Sequence, residues 1–171
     1  MIDFKGLRDA LFSGLNEELD ALVIEANQGE FKPDYPFITI LFMEPLQSLQ
    51  PHTGDYRAYE TEEEFEMQRE ASQEMYISVT SFSDDSADSI QNAYDAAKWF
   101  AFKGSQHLKE NGIVIVSIGS ITNRDTLIEG DYEKRNGFDV RLRFVSDIKK
   151  KTDVIEKVEL DLMGENKEIE S

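Results

Sequence analysis

The sequence predicts an α+β fold: a single domain built on a mixed, mainly antiparallel sheet of four or five strands, with two long helices packed on one face, in the order α-β-β-α-β-β(-β). Three observations carry that expectation. Two stretches, 7–26 and 90–108, place apolar residues three and four positions apart, the spacing of an amphipathic helix. Short runs near 37–43, 73–83, 113–121 and 138–145 are rich in β-branched and aromatic residues and are bounded by turn formers. Hydrophobic residues make up 40% of the 171, enough for one core that needs no staples. The domain is read as 1–163, with a long acidic arm at 46–72 and a polar tail at 164–171.

In the first stretch Leu7, Leu11, Leu15, Leu19, Leu22, Val23 and Ala26 share a face, with Arg8, Asp9, Glu17, Glu18, Asp20 and Glu25 elsewhere on the circle. This predicts a helix of about six turns ending at Asn27-Gln28-Gly29, with Gly29 in the left-handed cap. Pro33 and Pro36 then stiffen an extended approach to Phe37 through Met43, a run apolar on both faces that reads as an interior strand stopped at Pro45. Periodicity is lost in the arm. Leu46, Leu49, Pro51, Gly54 and Tyr56 read as loop, and Glu60, Glu62, Glu63, Glu64, Glu66 and Glu70 form an acidic block. That block is either a solvated face or a lip turned toward a channel or a neighbouring subunit. Phe65 and Met67 alternate with glutamates, so the next strand can extend backwards into the arm.

That strand runs from Gln73 to Ser83, with Met75, Ile77 and Val79 on one side and Tyr76, Ser78, Thr80 and Phe82 on the other. Asp84, Asp85 or Ser86 caps the helix that follows. Its stripe is Ile90, Ala93, Tyr94, Ala97, Phe100, Ala101, Gly104 and Leu108, and Asn111-Gly112 ends it. Trp99 and Phe102 fall beside the stripe, where they either widen the core face or form an apolar docking patch. The β-branched run Ile113 to Ile121 predicts a strand buried on both faces. Asn136-Gly137 predicts a tight entry turn. After it Phe138, Val140, Leu142 and Phe144 alternate with Asp139, Arg141 and Arg143, giving a strand with one dry and one charged face. Lys149-Lys150-Lys151 is too small a cluster for nucleic acid, and Val158, Leu160 and Leu162 suggest a last strand. The strands before and after the arm are expected to pair antiparallel, with the second helix as a crossover.

Thirty-five acidic residues against 18 basic ones give a net charge of −17, which argues against a phosphate-binding surface as the protein's main business. An anionic wall can still let DNA slide past without sticking, or simply keep the chain soluble. With no cysteine there is neither a disulfide framework nor thiol chemistry. The first residues do not read as a signal peptide, and no apolar run approaches the roughly 20 residues of a membrane span, so a soluble intracellular product is expected. His52 and His107 lack neighbours at metal-ligand spacing and read as surface residues. Asp84-x-Ser86-x-Asp88 departs from a calcium loop at Ser89 and Asp95, and a helix cap explains it better. No catalytic, cofactor or metal motif is found.

The charged positions carry a resemblance. Asn123-Arg124-Asp125, followed by Asp131-Tyr132-Glu133-Lys134-Arg135-Asn136-Gly137-Phe138-Asp139-Val140-Arg141, resembles the C-terminal signature of phage neck and tail-terminator proteins. In that family a tyrosine, a glutamate and one or two basic residues precede glycine, phenylalanine, aspartate and alternating apolar positions. Lys134 stands where arginine is common. Ser72-Gln73-Glu74-Met75 and Ser81-Phe82-Ser83-Asp84-Asp85 are similar to the family too, and the resemblance spans about Pro36 to Val145.

The resemblance implies a non-enzymatic structural protein of a tailed phage or prophage, assembled in the host cytoplasm and residing in the virion neck. It would form a six-fold ring around the DNA channel, touching the tail tube protein on one side and a head-completion or stopper protein on the other. DNA would pass without specific binding, and no membrane or cofactor would be involved. Trp99, Phe102, Arg124, Asp125, Glu133, Arg135, Asp139, Arg141 and Arg143 are the interface candidates, and Glu62, Glu63, Glu64 and Glu66 the channel-facing ones. The strand charges either make ordinary cross-strand ion pairs or meet opposite charges on an adjacent copy. Two readings from other classes remain: an acidic binding module such as a DNA mimic, and a small hydrolase or transferase with a perturbed carboxylate in a deep pocket.

Overall fold

The computed structural model describes residues 3–29, 32–48, 56–60 and 65–152. Two long strands form its spine. β4 (Phe65–Ser83) and β8 (Asp131–Thr152) pair antiparallel without interruption, from Phe65 opposite Thr152 to Ser83 opposite Lys134. Around them the sheet runs β1-β2-β4-β8-β5, where β1 is Leu22–Glu25, β2 Phe37–Ser48 and β5 Ile113–Ile118. β3 (Tyr56–Glu60) pairs with the outer part of β4, while the short β6 (Thr122–Asn123) and β7 (Thr126–Ile128) pair with the start of β8. Among the described residues only β1 and β2 are parallel neighbours, so the sheet is mixed and mainly antiparallel. The fold class is α+β as the patterns predict. The element order differs, with three helices and more strands among the described residues.

Alternation decides which face is dry. Met75, Ile77 and Val79 of β4 and Phe138, Val140, Leu142 and Phe144 of β8 are buried, and the cross-strand partners Ile40 and Ile113 join them in one cluster. Leu7, Leu11 and Leu15 of α1 (Phe4–Glu18) and Ala96, Trp99 and Phe100 of α2 (Ser86–Ala101) cover that face, with Leu108 of α3 (Lys103–Glu110). β2 and β4 pair antiparallel on either side of the arm. β4 and β5 both run antiparallel to β8, which lies between them, so α2 and α3 form a crossover between parallel strands. Asp85 caps α2 by accepting from the amides of Ala87 and Asp88, and Asn111 with Gly112 (φ 76°) ends α3, as expected.

Several expectations are corrected. The first helix stops at Glu18, and Leu22–Glu25 is a strand. Asn16 explains the switch, because its side-chain amide donates to the Val23 carbonyl at 3.1 Å and its oxygen accepts from the Val23 amide at 2.9 Å, like a ladder partner. Asn27, with φ 61°, takes the left-handed position instead of Gly29. Pro45 does not stop β2, because register shifts at 42–44 and 44–47 put it in a bulge, where no ladder donor is needed. The described residues of the arm, 46–48, 56–60 and 65–72, are strand, and β4 reaches back to Phe65 as the alternation hinted. β5 is an edge strand with one face open, so Val114 is exposed and only Ile113 is fully buried.

The second helical stretch breaks at Phe102, and its buried face is Ser89, Ala93, Ala96, Trp99 and Phe100. Ile90 and Tyr94 of the expected stripe are exposed. Trp99 rotates the face. It is wedged between Gly14 of α1 and Gly104 of α3, where a Cβ would lie 2.5 Å and 2.4 Å from its ring. Asn136-Gly137 lies within β8 and makes no turn; the turn is Glu129-Gly130, whose positive φ values of 51° and 99° join β7 to β8. Asn136 instead donates to Ser89 Oγ at 3.1 Å. The expected strand at 158–162 and the tail at 164–171 lie outside the described residues.

Candidate functional site

The face of the sheet away from the helices collects the charged residues that the alternation singles out. Strand periodicity puts Glu133, Arg135, Gly137, Asp139, Arg141 and Arg143 of β8 on that side, opposite Glu74, Tyr76, Ser78, Thr80 and Phe82 of β4. Their register makes three clusters.

Glu74 is the pivot of the first. Its side chain is 0% exposed, and each carboxylate oxygen serves one guanidinium. Oε1 accepts from Arg143 Nε at 3.1 Å and Nη2 at 2.8 Å, and Oε2 accepts from Arg141 Nε and Nη2. Burial pushes the Glu74 carboxyl up, but the Arg143 and Arg141 guanidiniums outweigh it and hold it below the usual carboxylate range. Arg141 also lies over the Tyr76 ring, 5.6 Å from its centre.

In the middle cluster Arg124 lies across the strands. Its Nη1 donates to Ser78 Oγ at 2.6 Å and Thr80 Oγ1 at 3.0 Å, and its Nη2 to Asp139 Oδ1 at 2.9 Å. Gly137 makes that crossing possible: a Cβ there would stand 2.9 Å from Arg124 Nη1 and 2.6 Å from the Val79 carbonyl oxygen. Beside it Asp125 accepts from the Arg135 amide at 2.8 Å, which with Asn123 and Lys134 holds its carboxyl low against the effect of burial. The loop carrying Arg124 is thereby tied to β8.

Glu133 anchors the third cluster. It accepts from Arg135 Nε at 2.6 Å and from the Tyr35 hydroxyl at 2.5 Å, and pairs with Lys32. Burial pushes this carboxyl up too, yet Lys32, Tyr35 and Arg135 hold it below the usual range. Tyr35, Phe37 and Phe82 stack at 5.8 Å and 4.7 Å between ring centres, and Arg135 covers the Phe82 ring at 4.9 Å. Both Glu74 and Glu133 hold two cations each, so the face carries a local positive surplus on a chain of net charge −17.

Of the interface candidates, Arg124, Asp125, Glu133, Arg135, Asp139, Arg141 and Arg143 are thus brought together on this face. Each has an ion-pair partner in the same chain, across the strands for Arg141 and Arg143 and within β8 for Glu133 and Arg135. Trp99, 5% exposed, is a core residue and offers no docking patch, whereas Phe102 is 78% exposed at the break between α2 and α3. His107 is half-buried rather than free at the surface, with Nε2 3.0 Å from the Ala10 carbonyl oxygen. Glu62, Glu63, Glu64 and His52 lie outside the described residues; Glu66 lies in β4. Pattern reading did not assign roles to Glu74, Lys32 or Tyr35. Glu74 sits on the polar side of a legible strand, but its partners depend on the β4–β8 register, and Lys32 is 101 positions from Glu133.

Among the described residues no group of His, Asp and Glu is arranged to hold a metal ion, and no helix is long and apolar enough to cross a membrane. No curated protein matches the chain. A family model described as phage neck terminator protein matches residues 4–168.

Proposed function

Because the chain belongs to the phage neck terminator family, we propose that it is a structural virion protein that ends the tail tube at its head-proximal side and joins tail to neck. The observation that carries this reading is the family match across nearly the whole chain. In this reading copies close into a ring around the DNA channel, with the tube protein below and a head-completion protein above. A ring requires a heterologous contact, in which two different surfaces of each copy meet and the rotation closes.

Three features of the molecule suit that role. β4 and β8 run on together past Met75 and Leu142 to Phe65 and Thr152, ten positions or roughly 33 Å of continuous ladder, which gives each copy a long arm. The ion-pair face is tied by buried carboxylates, so it presents its charges in fixed positions. The net charge of −17 suits a channel wall along which DNA slides without counterion-releasing contacts. Assembly takes place in the host cytoplasm, and the protein works without a cofactor or catalysis.

Light scattering over a concentration series, with negative-stain images of the same sample, tests the ring. Closed rings with a central hole and a mass of about six copies of the 19.6 kDa chain are expected. A chain that is monomeric at every concentration and adds no density to purified tails contradicts the reading.

A further inference from the structure

An open groove lies where α1 begins and the arm leaves the body. It has a volume of about 590 Å³, and Phe4, Phe42, Pro45 and Met75 give it apolar walls. Its charged lining is Lys5 and Arg8, both exposed on α1, with Glu25 beside Arg8. Arg8 is shared with Asp9 and, at 3.8 Å, with Glu25, while Lys5 has no ion-pair partner among the described residues. The groove therefore suits a segment whose apolar side chains alternate with carboxylates.

The chain contains such a segment. Residues 153–171 hold seven acids against two lysines, and Val158, Leu160 and Leu162 alternate with Glu159 and Asp161. Reach decides whose segment can enter. Thr152 is ten register positions from Leu142, the partner of Met75, a separation of roughly 33 Å along the ladder. Val158 is six residues beyond Thr152 and reaches at most about 20 Å, and Leu160 about 28 Å. The near wall is closer, because the Phe4 ring meets Phe144 at 6.4 Å between centres, eight positions or roughly 26 Å from Thr152. Within one chain Leu160 and Leu162 could reach that wall but Val158 could not, so the segment as a unit can fill the groove only in another copy.

We propose that the groove receives residues 158–162 of a second copy. Val158, Leu160 and Leu162 pack against Phe4, Phe42 and Pro45, and Glu159 and Asp161 face Lys5 and Arg8. The contact is heterologous, groove against segment, which is the kind a ring needs; in this respect it rests on the ring reading. The charges set partner choice and association rate, and the apolar side chains supply most of the hold.

Two full-length variants test it, each first checked for unchanged circular dichroism. Lys5→Glu/Arg8→Gln spoils the groove and keeps the segment. Leu160→Asp/Leu162→Asp spoils the segment and keeps the groove. Each alone is expected to self-associate at least ten-fold more weakly than wild type in sedimentation velocity. An equimolar mixture is expected to form pairs of about twice 19.6 kDa that do not grow, because only one good contact can form per pair. If wild type forms rings and both variants form the same rings, the docking is wrong and the ring stands. If the variants dissociate but the mixture yields no pairs, the docking is wrong as well. If wild type forms no ring alone or on purified tails, both readings fail together.

Discussion

Replacing Glu74 by Gln keeps the shape of the pivot and removes its charge. The carboxylate is fully buried and accepts from both guanidiniums through four N–H groups. Gln offers one oxygen, which serves one arginine, and turns its own NH₂ toward the other, donor against donor. Breaking a buried ion pair from one side costs about 3–5 kcal/mol. Here the cations left behind are 34% and 44% exposed and can turn to water, so the expected loss is smaller, about 2–3 kcal/mol. In urea unfolding the midpoint falls with the slope unchanged, and the melting temperature drops by roughly 4–12 °C for a domain of this size. Replacing all three groups together, Glu74→Leu with Arg141→Met and Arg143→Met, should recover much of the loss, because neither an unpaired charge nor an unsatisfied polar group remains at the buried position. A Glu74→Gln protein within 0.5 kcal/mol of wild type would refute the reasoning and mean that the arginines are indifferent to their carboxylate.

Gly137→Ala places a Cβ 2.6 Å from a backbone oxygen that cannot move aside, and should cost about 1–3 kcal/mol in urea and loosen the Arg124 crossing. Gly104→Ala drives a methyl into the Trp99 ring at 2.4 Å; a loss of about 1–3 kcal/mol is expected with a shift in tryptophan emission, which is a clean reporter because Trp99 is the sole tryptophan. Glu74, Glu133 and Asp125 all have folded-state pKa values below their unfolded ones, so their contribution is complete above the unfolded carboxylate range of about 3.9–4.3 and is lost as pH falls through the lower folded values. Wild type should therefore lose stability below about pH 4, and the gap between it and Glu74→Gln should narrow there, since a protonated Glu74 behaves like the amide; a gap constant down to pH 2 would count against the assignment.

Where a residue's own alternation fixes its surroundings, the sequence was a sufficient guide. Met75, Ile77, Val79, Phe138, Val140, Leu142 and Phe144 show the dry face of β4 and β8 directly, and Asp85 the start of α2. It misled where a distant partner overrides the local signal. Leu22 and Val23 continue a helical spacing, yet the Asn16 amide draws Val23 into a strand. Gly137 carries a turn signature because glycine often supplies positive φ, but here it is needed so that Arg124 can pass. Ile90 and Tyr94 fit an apolar stripe as well as Ala96 and Trp99 do, and only the packing of Trp99 between Gly14 and Gly104 selects the latter. The candidate site was half legible. Its β8 charges follow from alternation, whereas the roles of Glu74, Lys32 and Tyr35 require the register and the fold.

The central claim is that this protein ends a tail tube, and the most direct measurement is the length and end-labelling of tubes. Purified tube protein would be polymerised with and without this chain carrying a gold label, and the tubes imaged. The account predicts that labelled chain sits at one end only and that capped tubes stop lengthening, whereas uncapped tubes continue. Label scattered along the tube wall, or tubes that grow at the same rate with label absent from both ends, would contradict it.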